Sequence, residues 1–128
     1  AELWTNTVYA SGNRPSGNDF IDQFATLIRK YGKRSVLFYA RKMGIDKNDM
    51  VSSIRAMSGI SALEWISTYV NLAACELLEH SDKSITEIAQ QLNFNIALFN
   101  QFFLRMNKCS PYEWRSLKRH GKKMKYHY

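Results

Sequence analysis

The stretch SITEIAQQLNFNIALFNQFFLRMNKCSPYEW, residues 84–114, decides how this chain folds. It holds two helix starts of one form, Ser84 followed by Glu87 and Ser110 followed by Glu113. In such a capping box the serine side chain accepts from an N–H of the first turn, and the glutamate reaches back to the serine's own N–H. Pro111 takes the first helical position, where its missing N–H is no loss. Between the boxes lie a short helix with a small Ala89, a tight turn at residues 92–95, and a helix with Phe99 and Phe103 four apart. That sequence of parts is the helix-turn-helix pattern, whose second helix can lie in a DNA major groove.

A shift of 49 residues lays this stretch onto residues 35–65, SVLFYARKMGIDKNDMVSSIRAMSGISALEW. Ser35, Ala40, Ser61, Glu64 and Trp65 meet identical residues at Ser84, Ala89, Ser110, Glu113 and Trp114. Val36, Met43, Ile45, Met50 and Ile54 meet the apolar Ile85, Leu92, Phe94, Phe99 and Phe103. Helix packing alone preserves an apolar period, but not a Ser, a Glu and a Trp at one fixed offset. The chain therefore reads as two copies of one helical unit.

Working outward, Phe20, Ile21, Phe24, Leu27, Ile28 and Tyr31 form one face of an amphipathic helix ended by Gly32. Helices are expected near 18–31, 35–43, 47–57, 61–79, 84–92, 96–107 and 111–120. No run of alternating β-branched residues is bounded by hairpin turns, so the fold class is all-α. Residues 1–17, rich in Gly, Ser, Asn and Pro, read as a linker or arm onto which Trp4, Val8 and Tyr9 could dock. Residues 18–120 read as the folded domain and 121–128 as an aperiodic basic tail.

The 128 residues carry 18 Lys+Arg against 11 Asp+Glu, a net charge of +7. All of that excess lies in residues 105–128, with eight basic side chains and one acid, Glu113. A neutral body with a basic end fits a polyanionic partner, nucleic acid or an anionic membrane, or else a solvated tail. No apolar run nears the ~20 residues of a membrane span, and residues 118–128 have no apolar face to lie on a membrane. Cys75 and Cys109 stand alone, as reduced thiols of the cytosol do, and His80, His120 and His127 are not at zinc-ligand spacing from them. Neither a metal, a cofactor nor a catalytic constellation is expected.

At these residues the chain resembles the DNA-binding domain of the AraC/XylS family of transcription regulators. The second unit carries the resemblance through residues 84–94, Phe99 to Phe103 and Cys109 to Arg115. The first carries it through Ala40, residues 43–45, Met50, Ile54, Arg55 and residues 59–61, and the connecting helix through Trp65, Ala74, Leu77 and Leu78. The likeness spans about residues 18–117. It implies seven helices and two helix-turn-helix units, here about 35–57 and 84–107, joined by a long helix at 61–79. It further implies duplex DNA as partner, RNA polymerase as a candidate partner and a cytoplasmic location. Family members usually carry a separate sensing or dimerisation domain, so this chain is expected to be the C-terminal output piece of a longer protein, oligomerising, if at all, through a domain outside it. Against the family pattern, Asn93 and Lys108 stand where glycine is usual, Leu104 where a basic residue is usual, and Val70 where an arginine is frequent. The second turn is also one residue shorter. These departures support an alternative in which the domain works mainly through protein contact.

With Met50 and Ile54 inward, Asn48, Val51, Ser52 and Arg55 are the base-contact candidates of the first unit. With Phe99, Phe103 and Met106 inward, those of the second are Asn95, Asn100, Gln101 and Arg105. Arginine reads guanine and asparagine or glutamine reads adenine through paired hydrogen bonds, and an apolar side chain can touch a thymine methyl. Lys33, Arg34, Lys47, Lys108, Arg115, Lys118 and Arg119 are the phosphate candidates, which add affinity without sequence information. The charge distribution predicts that the second half supplies much of the phosphate grip.

Overall fold

Side-chain caps fix where the helices start. The protein is seen here in a computed structural model that describes the backbone of residues 17–125 and the side chains of residues 19–120. Its helices are α1 (Gly17–Tyr31), α2 (Val36–Met43), α3 (Lys47–Ser58), α4 (Ala62–His80), α5 (Ile85–Gln91), α6 (Ile96–Asn107) and α7 (Pro111–Lys125), and no strand occurs among the described residues. All three capping boxes form. Ser61, Ser84 and Ser110 Oγ accept from the N–H of Glu64, Glu87 and Glu113 at 3.1, 3.0 and 3.1 Å. The reciprocal bonds to the carboxylates measure 3.2, 2.8 and 2.9 Å. The backbone N–H of Ser84 holds the Glu87 carboxyl below its usual range. Ser35, Asp46 and Asn95 cap α2, α3 and α6. A cap of this kind contributes about 1 kcal/mol.

The repeat seen in the sequence recurs bond by bond. Ile45 N–H donates to Ala40 at 3.0 Å, and Phe94 N–H to Ala89 at 2.8 Å. Gly59 closes α3 on Arg55 at 2.9 Å as Lys108 closes α6 on Leu104 at 2.8 Å. The two turn positions are left-handed in both units, with φ of 70° at Gly44, 66° at Asn93, 79° at Gly59 and 65° at Lys108. Asn93 and Lys108 are thus the non-glycine residues of positive φ among those described. A side chain there costs roughly 1–2 kcal/mol, least for asparagine.

Helix α4 runs through the middle of the core. Trp65, Ile66, Val70, Ala73, Ala74, Leu77 and Leu78 are all buried along it. At its start Trp65 stacks on Phe24 of α1, ring centres 4.7 Å apart, next to buried Tyr39, Met50 and Ile54. The second unit buries Ile88, Leu92, Phe99 and Phe103, and Trp114 packs edge-on against Phe103 at 6.1 Å. Ala40 and Ala89 are buried in α2 and α5, the small residues expected where the hairpin helices cross. The Phe stretch of α6 is core, as helical spacing implied; truncating one such ring to alanine costs about 3–5 kcal/mol.

The two units are also fastened directly. The backbone of Gly32 lies so close to Leu92 that a Cβ would collide with its carbonyl. Lys33 N–H donates to Leu92 O at 2.8 Å, Gln91 Nε2 to Arg29 O at 3.0 Å, and Asn93 Nδ2 to Lys33 O at 2.8 Å. On the far side of α4, Asn71 and Asn107 exchange amide hydrogen bonds. The α1–α2 turn is therefore clamped onto the α5–α6 turn, and α6 is tied to α4.

One boundary differs from expectation. Helix α7 continues through Gly121 to Lys125 rather than stopping at 120, so the backbone of 121–125 is helical. An interior glycine costs only about 1 kcal/mol relative to alanine, too little to end a helix already begun by a capping box. The arm residues 1–16, with Trp4, Val8 and Tyr9, and residues 126–128 lie outside the described residues.

Candidate nucleic-acid interface

Helix α3 presents a polar strip. Burial of Met50 and Ile54 on one side leaves Asn48, Val51, Ser52 and Arg55 exposed on the other, as the spacing predicts. The side chains of Asn48 and Ser52 make no hydrogen bond to other described residues. Arg55 Nη1 donates to Gly59 O at 2.9 Å, which steadies the guanidinium at the helix end while leaving its other donors free.

In α6 the expected set splits by position. Asn100 and Gln101 are exposed and unpartnered among the described residues. Asn95 is not on the strip, because its Oδ1 accepts from Leu98 N–H at 2.8 Å and caps the helix. Arg105 lies to one side, its guanidinium 5.5 Å from the centre of the Phe102 ring. The residues in register with Asn48, Val51, Ser52 and Arg55 are Ala97, Asn100, Gln101 and Leu104, all exposed. Ala97 and Leu104 were missed because polar residues were sought; shifting the first quartet by 49 residues finds both.

The basic residues divide into two groups. Lys33, Arg34, Lys47, Lys108 and Lys118 are exposed. Arg34 lies 4.8 Å from the centre of the Phe38 ring and Lys118 Nζ 5.0 Å from that of Trp114, so their stems are steadied while the charges reach water. Arg115 and Arg119, also expected at phosphates, donate to backbone carbonyls at the end of α4, Arg115 half-buried and Arg119 exposed. Arg115 donates from Nε to Leu78 O at 2.8 Å and from Nη2 to Ser81 O at 3.1 Å. Arg119 Nη2 donates to Leu78 O at 3.2 Å and to Ser81 O. Both satisfy orphan carbonyls at the end of α4 and oppose its negative dipole. Burial, then the Arg119 charge, lowers the pKa of Arg115. Two of the cations expected in the phosphate grip of the second half are thus engaged in holding the end of α4.

The remaining chemistry is sparse. Among the described residues no cluster of three His, Cys, Asp or Glu could hold a metal, and no helix is long and apolar enough to cross a membrane. Burial pushes the Cys75 thiol up to about 11, far from a reactive thiolate.

The pattern of the helix-turn-helix domain family matches residues 39–117, from within α2 into α7. The chain belongs to this AraC-type helix-turn-helix family. Its fold is similar to the DNA-binding domain of AdpA, a global transcriptional factor solved in complex with a target DNA, at 22% identity and a TM-score of 0.67, covering 83% of this chain and 95% of that one. It is also similar to the C-terminal domain of the response regulator YesN from Fusobacterium nucleatum, at 16% identity and a TM-score of 0.63 over 77% of this chain and 97% of that one. An AraC-type transcriptional regulator from Chromobacterium violaceum gives 16% and 0.63 over 80% and 94%. No curated protein sequence matches the chain.

Within this AraC-type domain the departures noted in the sequence have structural explanations. Asn93 and Lys108 take the left-handed backbone that the first unit gives to Gly44 and Gly59. Leu104 occupies the place of Arg55 on the strip, and Val70 is wholly buried in α4. The fold absorbs these four; Leu104 and the exposed Lys108 alter the outward chemistry.

Proposed function

We propose that this domain is the DNA-reading output part of a transcription regulator, with α3 and α6 entering successive major grooves on one face of the duplex, about 34 Å apart. The observation that carries the reading is the pair of equivalent exposed strips, Asn48, Val51, Ser52 and Arg55 on α3 and Ala97, Asn100, Gln101 and Leu104 on α6, held in one rigid body by α4 and the turn-to-turn clamp. Lys33, Arg34, Lys47, Lys108 and Lys118 supply the phosphate contacts. Binding in the cytoplasm, where a bacterial-type regulator meets its DNA, and contact with RNA polymerase belong to the same proposal.

Five phosphate contacts give a slope of about −4 to −5 in log K against log salt. Titration of promoter-length duplexes across salt concentrations tests the reading. Salt-sensitive binding that discriminates among duplexes supports it; no binding at low salt, or indifference to sequence, overturns it.

A further inference from the structure

The two recognition helices do not offer the same chemistry. On α3 the strip holds a guanidinium at Arg55, and Lys47 and Asp49 flank it. At the equivalent positions α6 has Leu104, Ile96 and Leu98, all exposed, Leu104 by 54%. The α6 strip itself consists of two amides between two aliphatic side chains: Asn100 and Gln101, with Ala97 and Leu104 beside them. It carries no charge. Arg105, the nearest cation on the helix, lies over the Phe102 ring, and Lys108 sits past its end.

Major-groove chemistry translates this composition into a base preference. Paired recognition of guanine needs Arg or Lys, and the exocyclic amine of cytosine is met by Asp or Glu. The strip has neither. Side-chain amides match the adjacent donor and acceptor of adenine, and small aliphatic groups pack on the thymine methyl. An aliphatic face at Ala97 and Leu104 is otherwise left in water on a helix whose opposite side is fully packed.

We infer that α6 reads a half-site of A·T base pairs, Asn100 and Gln101 bonding adenine and Ala97 and Leu104 packing on thymine methyls, whereas α3 reads a half-site containing guanine through Arg55. This rests on the DNA-binding reading above. It gives the two units different specificities in spite of their shared sequence pattern, and it assigns Leu104 a contact where the sequence had only noted the absence of a basic residue.

Selection by the full chain from randomised duplexes, followed by affinity measurement on the selected site, tests it. Two half-sites about one helical turn apart are expected. Gln101→Ala and Leu104→Ala, both exposed positions, identify the α6 half-site as the one whose preference relaxes, and their circular dichroism and melting should match the parent. In that half-site A·T pairs should be enriched. Replacing its thymines with deoxyuridine, which removes only the methyl, should weaken binding about fourfold per contacted methyl. The same replacement in the spacer should change nothing. Enrichment of G·C pairs in the α6 half-site, absence of preference there beside a well-defined α3 half-site, or indifference to deoxyuridine overturns the inference while leaving DNA binding intact. Failure to select any sequence overturns the DNA-binding reading itself.

Discussion

The side-chain amide of Asn93 donates to the carbonyl oxygen of Lys33 at 2.8 Å while its own backbone sits at φ 66°. The same residue thus pays a small conformational penalty in the second turn and fastens that turn to the first unit. The two effects oppose each other. Asn93→Gly removes the strain and the bond together, so stability should move by less than about 0.5 kcal/mol. Asn93→Ala keeps the strain and loses the bond, and should cost about 1–2 kcal/mol. Urea denaturation of both variants checks this; an alanine variant as stable as the glycine one would mean the bond to Lys33 contributes nothing.

Lys108 presents the other left-handed position, without a comparable bond. Its Nζ reaches only the Arg105 carbonyl, at 3.3 Å and in water. Lys108→Gly should therefore stabilise the domain by about 0.5–1 kcal/mol, the relieved strain exceeding the extra freedom of glycine in the unfolded chain. If Lys108 also meets a phosphate, the same variant should flatten the salt slope by about one. Thermal melting and a salt titration on the one variant read both. A loss of stability would show that the lysine side chain holds the final loop.

Arg115 and Lys118 are three residues apart on α7, yet opposite effects are expected of them. Arg115→Met removes the Nε bond to Leu78 O and the Nη2 bond to Ser81 O at the end of α4, leaving Arg119 as the charged donor to both carbonyls. It should cost about 1–2 kcal/mol and leave the salt slope of DNA binding unchanged. Lys118→Ala, from an exposed site, should lower the slope by about one with a smaller effect on stability. Denaturation combined with salt titration separates them; a lowered slope for Arg115→Met would return that residue to the phosphate contacts.

How far these features could be read in the sequence depends on the range of the interactions. Caps and turns are local, so Ser84 and Glu87, or Gly44 and Asn93, announce themselves within four residues or by the repeat. The strip on α3 follows from the positions of Met50 and Ile54 alone. The bonds of Arg115 and Arg119 were not legible because their partners lie more than 30 residues away, at the end of another helix, and a basic residue near a basic terminus looks like a phosphate contact. The capping role of Asn95 was not seen because capping and base reading use the same amide chemistry, and only the helix start distinguishes them. The clamp at Gly32 was invisible, since a glycine that ends a helix carries no sign of the backbone packed against it.

The amide pair Asn71–Asn107 links the connecting helix to the last turn of the second recognition helix, with hydrogen bonds of 3.1 and 2.7 Å. Both residues are half-buried, and Asn107 Nδ2 also donates to Phe103 O at 3.2 Å. A reciprocal pair resists sliding and rotation of α6 on α4, so it should fix the distance between the two helices proposed to face DNA. Asn71→Leu or Asn107→Leu alone leaves one amide without its partner and should cost about 1–2 kcal/mol. The double variant should cost less than the sum, with a coupling near 1 kcal/mol. The functional consequence is separate from stability. One base pair inserted between half-sites displaces the second by about 3.4 Å and turns it by about a tenth of a rotation. The parent domain should reject such a duplex, and the double variant, its α6 freed from the polar lock, should discriminate less. Affinities for the two duplexes, measured for parent and double variant, decide the matter: equal discrimination by both would show that packing on α4, rather than the amide pair, sets the spacing.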